Sequence, residues 1–166
     1  MRRLRTFSAI AGIFVLGAAC TSTALASAPA KTQITFADTS TLTGVCPFEI
    51  TVESTVSLTL LQFVDSSGGV TRWLAHVVEQ DTFSANGKSL TSLQYQFELQ
   101  ASFDSTGAFT QFFEHGALAR VVLPDGSLFL AAGRVDFVPH GGPSFLFTPD
   151  TGTAGNIAGF CAALSP

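Results

Sequence analysis

The chain is 166 residues long, the span of one domain, with 46% hydrophobic residues, only 12% charged residues, and sixteen Phe against one Trp and one Tyr. So much apolar surface in so short a chain excludes extended disorder. The lack of a Gly-X-Y period or a sustained heptad excludes collagen, coiled coil and helical repeats.

Residues 1–26 read as a secretory signal peptide. Arg2, Arg3 and Arg5 form a basic start, residues 10–19 an apolar stretch, and Ala24-Leu25-Ala26 an A-x-A cleavage site. Cutting after Ala28 would leave Pro29 just past the scissile bond, where signal peptidase works poorly. Ten apolar residues fall well short of the ~20 that span a bilayer, so the chain is read as not transmembrane. Lipidation at Cys20 is the alternative. Thr21 and Ser22 follow it as in lipoproteins, but the position three before the Cys is Gly17 rather than Leu. The reading is therefore of a secreted, extracytoplasmic protein: residues 27–45 a linker and first strand, residues 46–166 the body of a single domain.

Without residues 1–26 the chain holds five Lys/Arg against twelve Asp/Glu, a net charge of −7 in place of −4. That balance argues against nucleic acid, where Lys and Arg must neutralise phosphates, and against an anionic membrane surface. Two cysteines remain, Cys46 and Cys161. Outside the cytoplasm such a pair reads as a disulfide. The alternatives are a redox pair or a metal site, but there is no C-x-x-C and no His near either cysteine.

Period-two alternation dominates the rest of the chain. Strands are predicted at 32–37, 48–53, 56–64, 70–80, 93–100, 109–123, 128–138 and 145–148. The clearest is Leu93-Gln94-Tyr95-Gln96-Phe97-Glu98-Leu99-Gln100, with one apolar and one polar face. Turn signals separate them: Asp65-Ser66-Ser67-Gly68-Gly69, Asn86-Gly87, Asp104-Ser105-Thr106-Gly107 and Pro124-Asp125-Gly126. Ile157, Phe160, Cys161 and Leu164 recur at helical spacing and predict a short C-terminal helix. The class is all-β, an antiparallel meander of seven or eight strands plus that helix, with a closed barrel favoured over a sandwich.

A two-residue turn at Asp125-Gly126 would pair Leu123 with Leu128, Ala119 with Ala132, and Gly116 with Val135. Both faces of that hairpin are then largely apolar, so a homo-oligomer interface, a plugging helix or a bound ligand must cover the second. The same register places His115 opposite Asp136, with Arg134 one diagonal step from His115, so the carboxylate would orient the imidazole. Glu114 and Arg120 share the other face, three steps apart. Inside an apolar lumen they would be the few polar groups of a ligand pocket. Glu114, Arg120, His115, Asp136 and Arg134 are the candidate pocket residues. A one-residue slip would exchange the faces and leave His, Asp and Arg as a surface cluster. Trp73, Tyr95 and the Phe residues read as core more readily than as an aromatic cavity.

Gly87-Lys88-Ser89 lacks the upstream Gly of a P-loop, since position 82 is Thr, and it precedes a strand rather than a helix. His140-Gly141-Gly142 lacks the G-x-S-x-G partner an esterase needs. His76, His115 and His140 are too widely spaced to predict a metal site. No catalytic residue, cofactor or metal is implied.

Cys46-Pro47-Phe48, the Asp65–Arg72 hairpin, Gly87-Lys88-Ser89, Pro124-Asp125-Gly126, Ala132-Gly133-Arg134 and Phe160-Cys161-Ala162-Ala163-Leu164 follow one another in this order. The arrangement resembles a group of small secreted β-rich proteins of actinobacteria-like organisms, a group with no assigned function. The resemblance implies export, one β-rich domain and paired cysteines, and carries no catalytic residues. The leading expectation is an exported, disulfide-stapled β-barrel that binds a small apolar ligand. The alternatives are a structural or interaction module of the cell envelope, or a barrel-lumen isomerase or cyclase using Glu114 or His115.

Overall fold

The computed structural model describes residues 28–140 and 147–166. The proposed signal peptide, with Cys20, lies outside the described residues, as do Gly141 and Gly142. Among the described residues, eight strands form one antiparallel sheet: β1 (Ala30–Leu42), β2 (Ile50–Val64), β3 (Val70–Ala85), β4 (Lys88–Thr91), β5 (Tyr95–Phe103), β6 (Phe109–Val122), β7 (Leu128–Asp136) and β8 (Thr151–Thr153). Helices are α1 (Phe137–His140) and α2 (Ile157–Leu164). The two strands predicted at 48–53 and 56–64 are one, β2; of the strand predicted at 145–148, residues 145 and 146 lie outside the described residues, and Phe147 and Thr148 form a turn and a bend.

Strands follow in the order β1-β2-β3-β5-β6-β7-β8, with β4 pairing the end of β3. The path ends on β1 and β8, so the sheet is open and the expected barrel is not formed. Among the described residues after β7, the four-residue helix α1 and the three-residue strand β8 do not reach β1, and β8 pairs with β7 alone. The sheet nevertheless curls. Adjacent strands lie ~4.8 Å apart, so β2 and β7, four places apart, would be ~19 Å distant in a flat sheet. Yet Ile50 and Val52 of β2 belong to one core cluster with Phe129, Ala131 and Val135 of β7.

Alternation sets the inner face as predicted: Ile50, Val52 and Val56 on β2, Ala75, Val77 and Phe83 on β3, Tyr95, Phe97 and Ala101 on β5 are all buried. Helix α2 closes one end. Asn156 caps it by accepting from the Gly159 amide at 3.0 Å. Its Phe160 is fully buried, with ring centroids 4.8 Å from Phe129, 5.3 Å from Phe83 and 5.5 Å from Phe147. Asn86 and Lys88, on the β3–β4 hairpin, donate to the carbonyls of Leu164 and Ser165 at the helix end. The Cys46–Cys161 disulfide ties α2 to the segment leading into β2.

The β6–β7 hairpin differs from its predicted register. Leu123 donates to the Ser127 carbonyl and Gly126 donates back to Leu123, a three-residue loop with Gly126 at φ +84°. A three-residue loop with a glycine in the left-handed region is a standard hairpin closure, so Val122, not Leu123, pairs with Leu128. The register then shifts again at Leu118, between the pairs Ala117↔Ala132 and Ala119↔Ala131. This β-bulge inserts one residue and reverses which positions face inward. Glu114 and Leu118 face inward before it, and Ala119 and Val121 after it. The hairpin's apolar residues are thereby gathered largely onto the buried face. Val122 and Leu128, paired across the loop, stay outside and are half exposed.

Candidate functional site

Two core clusters occupy the inner face. One surrounds Phe160, and the other comprises Val56, Ala75, Val77, Tyr95 and Phe97. Between them the curled sheet leaves a cavity of about 540 Å3. Its apolar walls come from both clusters: Val52, Phe83, Leu118 and Phe147 on one side, Val56 and Phe97 on the other. Phe36, Asp38 and residues 40–43 on or just after β1 form a further wall.

The polar groups come from an interruption in the sheet. Strands β4 and β5 are one returning strand broken at Ser92, Leu93 and Gln94, opposite Asp81. Buried Ser92 repairs the break: its amide donates to the Asp81 carbonyl at 2.8 Å, and its hydroxyl accepts from the Asp81 amide at 2.8 Å. Held there, the nearly fully buried Asp81 carboxylate accepts from Ser54 Oγ at 2.6 Å and from the Tyr95 hydroxyl at 2.5 Å. Glu79, two residues earlier on the same face, lies against both Asp81 and Tyr95. Glu114 projects into the cavity from β6.

Burial, and then the adjacent Asp81 charge, pushes the Glu79 carboxyl up to about 8. Burial alone pushes Glu114 up to about 7. Burial, with the Glu79 and Asp81 carboxyls next, also raises the Tyr95 phenol far above its usual range, so it remains a proton donor to Asp81. Carboxyls whose folded-state pKa is raised stabilise the protein fully below their ordinary value near 4.5. That contribution is lost as pH rises through the folded values. Urea unfolding should therefore show lower stability at about pH 8.5 than at about pH 5, and Glu79→Gln should reduce the difference. Equal pH slopes in the two proteins would mean that Glu79 titrates normally.

Of the five candidates read from the sequence, only Glu114 lines the cavity. His115 pairs with Arg134, not Asp136, and Asp136 lies opposite Phe113. The altered turn and the bulge together shift the pairing by two residues, which changes partners but not faces, and His115, Arg134 and Asp136 lie together on the outer face, opposite to Glu114. There exposed Arg134 stacks 3.7 Å over the Phe113 ring and approaches partly exposed Asp136 at 3.6 Å. His115 sits exposed beside Glu98, whose carboxylate instead pairs His76 at 2.7 Å. The expected His115–Asp136 acid–base pair does not form. Arg120, past the bulge, is exposed on the outer face and does not share the Glu114 side. Tyr95 does line the cavity, while Trp73 packs instead on Phe103 with ring centroids 4.7 Å apart.

Glu79 and Asp81 were missed, although a signal for them exists. In Ala75, Val77, Glu79, Asp81, Phe83 the inward phase of β3 runs through two carboxylates. Charges at apolar-phase positions mark a site or a buried pair.

No His/Cys/Asp/Glu group able to hold a metal occurs among the described residues, and no helix among them is long and apolar enough to cross a membrane. Fold and site together define a disulfide-bonded, open antiparallel sheet with a carboxyl-lined cavity. No family model matches the chain, and no match was found among curated proteins or solved structures.

Proposed function

We propose that this is an exported protein that binds a small, largely apolar ligand in the cavity between β1, β2, β3, β5 and β6. The cavity carries the reading. Its ~540 Å3 falls within the ~300–1,000 Å3 of small-molecule sites, and a few convergent polar groups in apolar walls are what orient a ligand. Export is supported by the basic and then apolar N-terminus, the likeness to small secreted β-rich proteins, and the Cys46–Cys161 disulfide.

The test is thermal unfolding of the oxidised protein across a panel of lipids and hydrophobes. A ligand at one hundred times its Kd should add about 2.7 kcal/mol. Val56→Phe, which fills the cavity, should abolish that gain while the protein stays folded. No stabilisation by any member would overturn the reading.

A second reading, a self-associating module, rests on Val122 and Leu128, exposed side by side on the outer face. Light scattering at micromolar concentration decides it, since a strict monomer removes the case.

A further inference from the structure

The cavity's polar lining has one sign. Four carboxyl side chains line it: Asp38 from β1, Glu79 and Asp81 from β3, and Glu114 from β6. No Lys, Arg or His lines it among the described residues. The two salt bridges found among the described residues, His76–Glu98 and Arg134–Asp136, both lie on the outer face. Asp81 is the carboxylate satisfied by neutral donors, Ser54 and Tyr95. Glu114 has no hydrogen-bond partner among the described residues.

Around these groups stand four phenyl rings, Phe36, Phe83, Phe97 and Phe147. Carboxyls without counter-cations, Asp81 buried, Glu79 and Glu114 partly buried and Asp38 at the exposed rim, within walls of aromatic faces, complement one class of molecule. An ammonium group is attracted by carboxylates and by the negative faces of aromatic rings, and its apolar substituents fill the remaining space. An anion would meet four acids. A bare metal ion requires a closed shell of oxygens, and no group of acidic side chains able to hold one occurs among the described residues.

Resting on the ligand-binding reading above, we propose that the ligand is a small organic cation: an ammonium group on an apolar body, with its charge set among Glu79, Asp81 and Glu114. The raised values of Glu79 and Glu114 fit this. Burial keeps Glu79 largely and Glu114 partly protonated near neutral pH for want of a cation, and an arriving ammonium takes the place of those protons. The groups facing them are Asp38, Asp81 and the Tyr95 phenol, none of them cationic. Binding therefore releases protons from the protein and tightens as pH rises.

The experiment compares phenyltrimethylammonium, whose charge is permanent, with its neutral isostere tert-butylbenzene, by calorimetry on the oxidised protein in two buffers of different ionisation enthalpy. The cation should bind at least about tenfold more tightly at pH 8.5 than at pH 6, with measurable proton release. The isostere should bind more weakly at pH 8.5, with no proton release. In the Glu79→Gln, Glu114→Gln double variant, which mimics the protonated cavity and so should fold, proton release and pH dependence should vanish. Equal or tighter binding of tert-butylbenzene, or cation binding without proton release, would overturn the cation while leaving ligand binding standing. The same holds if phenyltrimethylammonium fails where a neutral panel member binds. Failure of both probes and of the whole panel would overturn both readings.

Discussion

Reducing the Cys46–Cys161 disulfide, or replacing both cysteines with Ser, should lower the unfolding free energy by about 4–5 kcal/mol. The two residues are 115 positions apart, with Cα atoms 5.5 Å apart. Closing so long a loop removes much of the freedom of the unfolded chain, which is where the chain-entropy model places the effect. In urea, with a slope of ~1–3 kcal/mol/M, the midpoint should fall by on the order of 2 M. Either single replacement should cost as much as the double, because each breaks the same bond. A loss below about 1 kcal/mol would show that contacts of α2, not the bridge, hold the tail.

Phe160→Ala should cost about 3–5 kcal/mol, the range for a large aromatic removed from a packed core. Phe160 is fully buried and touches Phe83, Phe129 and Phe147, which come from β3, β7 and the turn before β8. Those neighbours are fixed by strands on several sides and cannot collapse into the space. Thermal unfolding by circular dichroism should show a drop on the order of 10 °C. Phe36→Ala is the contrast. Phe36 is 45% exposed on β1, so its loss should cost far less stability, although it lines the cavity. Equal costs at both positions would contradict the placement of the core around α2.

The strands and turns were legible because they depend on neighbours in the chain. Alternation in residues 93–100 reads directly as one buried face. Asp65, Asp104 and Asp125 each accept from amide and hydroxyl groups two residues on, which is why Asp-rich turns signal themselves. The same bonds hold these three exposed carboxyls below their usual range. Closure was not legible, since an open and a closed meander share the same local pattern.

Nor was the bulge at Leu118. It adds one residue between Ala117 and Ala119, with nothing in that run of small and branched residues to announce it. That single residue moves Arg120 outward, and with the altered turn it separates His115 from Asp136. The cavity was only half visible. Glu114 was found for its place among apolar residues, while Glu79 and Asp81 fell at the end of a strand whose reading stopped at residue 80.

The strand order also has a kinetic consequence. From β1 to β7 every strand pairs with a neighbour in sequence, apart from the detour through β4, so this part of the sheet can zip up hairpin by hairpin over short loops. Folding rates fall as contacts become less local, and a meander keeps them local for an all-β chain. The exceptions include the packing of β2 against β7 in the curled sheet, the contacts of α2 with β3 and β4, and the bond between the sulfurs of Cys161 and Cys46. The disulfide closes the longest of these loops, 115 residues from Cys46 to Cys161. Helix docking and oxidation should thus be late events, completing a sheet already assembled, and an early-quenched refolding sample should contain paired strands with both thiols still free.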